Sequence, residues 1–222
     1  MAAVSSQRKR LLLAATGGVL AAWAGVLLVV ALQRERAAPA VPVAVAPADG
    51  PLLGGPLPEG LDGSQAADFT LRDARQDEPI DTRDLRGQPY IVTFLYTDCV
   101  DVCPLIASEL DQALEHLGRE VPVIAVSADP EGDTKIAVRR WFAERDLPGS
   151  FRYVIGTEEE LRPVWDAYYA APQPGDREVS AHSASIWLVD GQGRLRSKFS
   201  GGIPVPPADI AHDLRVLLDK AA

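Results

Sequence analysis

Two cysteines, Cys99 and Cys103, are the only ones in the chain. They stand four positions apart in Tyr96-Thr97-Asp98-Cys99-Val100-Asp101-Val102-Cys103-Pro104. A pair this close can form a disulfide, exchange one with a partner, or share a soft metal ion. A plain structural bridge is the weaker reading, because closing so short a loop removes little chain entropy.

The flanks say where the pair sits. Pro89-Tyr90-Ile91-Val92-Thr93-Phe94-Leu95 is a short apolar, β-branched run that predicts a buried strand. From Leu105 to Leu117, the apolar residues Leu105, Ile106, Leu110, Ala113, Leu114 and Leu117 fall at helical spacing. Pro104 suits the first turn of a helix and pushes the residue before it away from helical backbone. Cys103 is therefore expected at the helix entrance and Cys99 in the loop before it. Both sulfurs would then face unpaired N–H groups, whose positive end stabilises thiolates.

A metal shared by two thiolates invites a third donor, and the chain offers three histidines. His116, near the end of the cysteine helix, and His212, in the last helix, are expected on solvated faces. His182 follows the irregular stretch Pro172-Gln173-Pro174-Gly175-Asp176-Arg177 and stands just before a strand beginning at Ala184. That location suits the rim of a sheet, and spacing alone leaves open whether His182 is a ligand or a loop residue. A Cys₂His set is soft and suits copper in either oxidation state, whereas a closed structural zinc site wants four protein ligands.

The elements around the pair follow from pattern. Phe69-Thr70-Leu71 and Pro79-Ile80 predict short strands. Val121 to Ser127 predicts a further strand, and Asp133 or Thr134 can cap a helix from Lys135 to about Arg145, with Ile136, Val138, Trp141 and Phe142 as packing residues. Phe151 to Gly156 predicts a strand, and Thr157-Glu158-Glu159-Glu160 opens a helix to about Tyr169 with a capping box. Ala184 to Asp190, Gly191-Gln192-Gly193 and Arg194 to Phe199 predict a hairpin, and Pro207 to Lys220 a closing amphipathic helix. Strands alternating with helices indicate an α/β domain with a mixed central sheet, and a dithiol at a strand-to-helix turn makes a thioredoxin-like fold the natural candidate.

Ahead of this domain, Arg8-Lys9-Arg10 precedes residues 11–32, which carry no charged side chain. As a helix this stretch would span about 33 Å, one hydrocarbon core, longer than a signal-peptide apolar region. The reading is a cytoplasmic basic N-terminus at 1–10, a transmembrane anchor at 11–32, a Pro/Ala/Gly-rich tether at 33–63 and an extracytoplasmic domain at 64–222, single-pass in a plasma (inner) membrane. The net charge of −9, with no basic stripe, argues against nucleic acid as a partner.

Three motifs share a resemblance. Tyr96 to Pro104 looks like the Y-T-x-C-P-D-V-C-P motif of the Sco/SenC family. Ser127-Ala128-Asp129-Pro130-Glu131-Gly132-Asp133-Thr134 is similar to its S-V-D-P-x-x-D-T segment, and Ser180-Ala181-His182-Ser183 resembles its V-D-H-S segment. The likeness runs in order from about Asp68 to Asp219. It implies a membrane-tethered, thioredoxin-like copper protein that binds one copper, Cu(I) or Cu(II), through Cys99, Cys103 and His182. It also implies a role in assembling the CuA centre of cytochrome c oxidase subunit II, or in serving another exported cuproprotein, with copper supplied by an upstream donor.

Two departures stand out: Val100 replaces the proline after the first cysteine, which loosens the loop, and Ala181 replaces the aspartate before the histidine. The rival to a metallochaperone is a thiol–disulfide oxidoreductase with Cys99 and Cys103 as its redox dithiol, keeping partner cysteines reduced before metallation. Peroxide reduction fits less well, since the motif around Cys99 does not resemble that of peroxiredoxins. His182 separates the first two, because copper transfer needs it as a donor and dithiol exchange does not.

Overall fold

The strand that leads to the cysteines, Tyr90–Leu95, lies in the interior of a seven-stranded sheet with every residue buried. In the computed structural model the described residues are 50–170 and 184–220. The chain divides into units at 1–44 and 45–222, and all described residues fall in the second.

In chain order the strands are β1 (Thr70–Asp73), β2 (Pro79–Asp81), β3 (Tyr90–Leu95), β4 (Val123–Ser127), β5 (Phe151–Ile155), β6 (Ser185–Val189) and β7 (Leu195–Ser200). The helices are α1 (Val102–Leu117), α2 (Lys135–Ala143), α3 (Glu158–Ala167) and α4 (Pro207–Asp219), with a 3-10 turn at Thr82–Leu85. The sheet order is β2-β1-β5-β4-β3-β6-β7. Strands β3, β4 and β5 are parallel, while β1, β2, β6 and β7 join antiparallel. This is the mixed α/β sheet expected from the pattern.

Successive side chains of a strand point to opposite faces, so β3 serves two cores. Ile91 and Leu95 pack with Ile106, Leu110 and Leu114 of α1, Val138, Trp141 and Phe142 of α2, and Ile210, Leu214 and Leu217 of α4. Tyr90, Val92 and Phe94 pack with Leu161, Val164 and Trp165 of α3, beside Tyr168 and Trp187. A strand covered on both faces has no polar side, which is why β3 and β4 read as continuous apolar runs.

Several expectations are corrected. Ile136 is 81% exposed, whereas Val138, Trp141 and Phe142 are buried. Position 136 lies two residues before 138, about 200° around the helix, so it cannot share that face. Thr134, not Asp133, caps α2 by accepting the Ala137 N–H. Helix α3 has the predicted capping box at Thr157 but ends at Ala167, and Tyr169 at φ 53 turns the chain out of the helix. His212 is 2% exposed rather than solvated, with its ring Nε2 3.2 Å from the Pro51 carbonyl.

That contact belongs to a strap. Residues 51–66, mostly within the stretch read as tether, run beside the outer edge of β7. Gly55 and Gly63 donate N–H bonds to Lys198 and Leu195, Leu195 donates to Ser64, and Ala66 donates to Gly193. Asp213 of α4, fully buried, accepts the N–H groups of Leu53 at 2.7 Å and Gly54 at 3.1 Å and the Ser197 hydroxyl at 2.5 Å. The residues read as the anchor, 11–32, lie outside the described residues; among those described, no helix is long and apolar enough to cross a membrane.

Candidate metal-binding dithiol

Strand β3 delivers the chain to the site and α1 takes it away. After Leu95, the Cys99 N–H donates back to the Tyr96 carbonyl at 3.3 Å, closing a turn. Asp101 caps α1, its carboxylate accepting the Val102 N–H at 2.7 Å. Cys103 is thus the second residue of the helix, in the first turn where amides lack carbonyl partners. One such amide finds a sulfur, since the Cys103 N–H donates to Cys99 Sγ at 3.2 Å. Both cysteines are unbridged and buried.

This arrangement splits the two thiols. The Cys99 pKa is lowered to about 6, chiefly because the Cys103 side chain hydrogen-bonds to its sulfur. Burial opposes the shift, and the backbone N–H groups of Cys103 and Asp101 and the Tyr96 hydroxyl assist it. Cys103 is pushed well up, first as the donor in that bond, then by burial and by repulsion from a Cys99 thiolate. The Tyr96 N–H on its sulfur pulls the other way, and the charge of Asp133 pushes it higher. The pair therefore holds one proton between two sulfurs, a ready nucleophile and its protonated neighbour. Both thiols are soft donors of the kind that selects Cu(I).

The resembling segment after β4 lies alongside. The Asp129 carboxylate accepts the Gly132 N–H at 3.0 Å, and a side chain at position 132 would have to push that carboxylate aside. Asp133 is 2% exposed and takes the Thr97 N–H at 2.7 Å, the Ser127 hydroxyl at 2.6 Å and the Tyr153 hydroxyl at 2.7 Å. Tyr153 also lies 2.8 Å from the carbonyl of Leu95, the last residue of β3. Burial pushes the Asp133 carboxyl up, and the three donors hold it down. Tyr153 does not stand out in the sequence, and Ser127 does so only as the first residue of that segment, because their convergence depends on which strands neighbour β4. A hydroxyl at the C-terminal end of a buried strand was the one available signal.

Of the predicted ligands, the structure brings Cys99 and Cys103 together. His182 lies outside the described residues, as do Ser180 and Ala181. Among the described residues no group of three His, Cys, Asp or Glu side chains is placed to hold a metal ion.

The dithiol, the fold around it and the segment after β4 bear comparison with known proteins. The SCO1/SenC family model matches residues 60–219. This chain belongs to the SCO1/SenC family. The human mitochondrial protein SCO1 homolog is 28% identical over 159 residues, covering 67% of this chain and 48% of its own length, so the match spans about half of that relative. The copper-bound structure of Bradyrhizobium japonicum ScoI aligns with TM-score 0.58 and 28% identity over 70% of this chain and all of that one. BsSco, described as a member of the Sco family of cytochrome c oxidase assembly proteins with a disulfide switch, aligns with TM-score 0.61 and 20% identity over 71% of this chain and 95% of its own. The mixed α/β, thioredoxin-like Sco fold expected from the sequence is the fold of this SCO1/SenC chain.

Proposed function

We propose that this protein is a membrane-anchored copper chaperone that takes one copper through Cys99, Cys103 and His182 and delivers it to the CuA centre of cytochrome c oxidase subunit II. The observation that carries the reading is the pair of unbridged sulfurs at the start of α1, one of them held on the Cys103 N–H. Copper is cargo here, so the site must hold it with donors that a partner's thiolates can displace in turn. A half-ionised thiol pair suits that exchange, since one sulfur binds without first losing a proton. The copper-bound Bradyrhizobium relative supports the choice of metal.

The register of β6 supports His182 as third donor. Strand β6 runs antiparallel to β3, with Thr93 opposite Ile186, so β6 begins at the rim where β3 ends. A Cβ on Gly201 would meet both Ile106 of α1 at 2.7 Å and Ala184 at 2.9 Å, which puts Ala184, two residues after His182, beside the cysteine helix. The anchor at 11–32 would leave the domain on the extracytoplasmic side of the inner membrane.

The test is a Cu(I) competition titration on the reduced full chain, wild type beside His182→Ala. Tight uptake of one copper, with an order-of-magnitude loss in the variant (about 1.4 kcal/mol), upholds the reading. Equal binding by both removes His182 from the site.

A second reading, thiol–disulfide exchange, is favoured by the difference between the two thiols. The Cys99 thiolate attacks a partner disulfide, giving a mixed disulfide and releasing a partner thiolate. Cys103 then loses its proton and attacks Cys99 Sγ, closing the Cys99–Cys103 bond and freeing the partner as a dithiol.

A further inference from the structure

The peptide group between Tyr96 and Thr97 is held at both of its polar atoms. Its carbonyl, on Tyr96, accepts the Cys99 N–H at 3.3 Å. Its N–H, on Thr97, donates to Asp133 Oδ1 at 2.7 Å. A peptide group is planar, so holding its N–H orients its carbonyl. The other end of the hold is rigid. Asp133 Oδ2 takes the hydroxyls of Ser127, last residue of β4, and Tyr153, in the middle of β5. Its own N–H donates to the Asp129 carbonyl at 2.9 Å. One carboxylate thus ties the cysteine loop to two central strands.

We propose that Asp133 is the positioning residue of the dithiol: by gripping Thr97 N–H it orients the Tyr96 carbonyl that receives the Cys99 N–H, and so fixes the turn that carries Cys99. It hydrogen-bonds to neither sulfur; its charge also reaches Cys103, and because alanine and asparagine both remove that charge, the difference between the two variants reads the grip. The role rests on the reading of Cys99 and Cys103 as the working pair. Helix capping does not compete for Asp133, because Thr134 does that work. Both oxygens of the buried carboxylate are already engaged within the protein, one by Thr97 and the other by Ser127 and Tyr153. Its consequence falls on the balance between dithiol and disulfide and on how well the two sulfurs are prearranged for a metal ion.

The experiment equilibrates the full chain with reduced and oxidised dithiothreitol and reads the fraction of Cys99–Cys103 disulfide. Wild type is compared with Asp133→Ala, Asp133→Asn and, as a control, Asp213→Ala. Asparagine keeps an oxygen for Thr97 N–H, and its amide can donate to a hydroxyl. Asp133→Ala is expected to shift the exchange constant by about tenfold, close to 30 mV. Asp133→Asn should stay within about twofold, and Asp213→Ala should melt earlier with no shift. The proposal is overturned if Asp133→Ala shifts the constant no more than Asp213→Ala, or if Asn behaves like Ala. Should Asp133→Ala not fold, the decision passes to Asn and to hydrogen exchange at the Thr97 amide. Slow exchange in wild type and Asn upholds the grip, and fast exchange in folded wild type sinks it. Failure here separates from failure of the copper reading. A wild type that binds no Cu(I) yet shows the Asp133→Ala shift retires copper and keeps the grip. One that binds copper and shows no shift does the reverse.

Discussion

Asp133 and Asp213 are the same device used in two places. Each is a buried carboxylate that accepts three hydrogen bonds, at least one of them from the backbone of an irregular segment. Asp213 holds a strap of chain against β7 and α4, at one side of the sheet. Asp133 holds the loop that carries Cys99, at the end of its central strands. A buried carboxylate left without donors would be costly, so in each place the burial and the three bonds require one another. The difference lies in what is being held. A strap can be lost at a cost in stability alone, whereas a loop that carries a thiolate takes chemistry with it.

The largest effect expected is at Cys99. With its pKa lowered to about 6, the sulfur is mostly thiolate at neutral pH, while an ordinary cysteine near 8.5 is only a few per cent ionised. Alkylation by a small reagent should rise with pH through a midpoint near 6 and level off above it, because the protonated thiol is inert. That midpoint should be unmoved in Asp213→Ala; a midpoint near 8.5 in wild type would undo the account of the site.

Next is Asp213→Ala itself, which strands the N–H groups of Leu53 and Gly54 and the Ser197 hydroxyl. A loss of about 3 kcal/mol in chemical denaturation is expected, with thiol reactivity unchanged. Gly54→Ala attacks the same strap from the other side. Its Cβ would collide with Ser197 Oγ and crowd the Lys198 backbone, and about 2 kcal/mol should go. The smallest change is Thr134→Ala, which removes the cap of α2 beside Asp133 and should cost about 1 kcal/mol. If it also shifts the thiol–disulfide balance, the cap and the grip on Thr97 are not separate.

What could be read from residues alone was local. The apolar run before Cys99 and the helical spacing after Cys103 place the pair at a strand-to-helix handover, because burial of β3 on both faces leaves its mark on every position. The capping box at Thr157 is likewise written in four consecutive residues. The role of Asp133 is not legible this way, because an aspartate just ahead of a helix already has capping as a sufficient reason. Its partners come from positions 97, 127 and 153, which meet only through the parallel pairing of β4 with β3 and β5. The strap was illegible for another reason: its bonds to β7 are made by backbone amides, so residues 51–66 needed no strand-like side-chain pattern. His212 looked solvated because its partner, the Pro51 carbonyl, belongs to that same strap.

The strap also decides what the protein presents to its neighbours. Without residues 53–66, the six-residue β7 would offer an open row of amides and carbonyls to any extended peptide, including another copy of itself. The opposite margin of the sheet is β2, only three residues long and starting with Pro79, which has no N–H to give. With one margin covered and the other blunt, the domain is protected from joining strand to strand into aggregates.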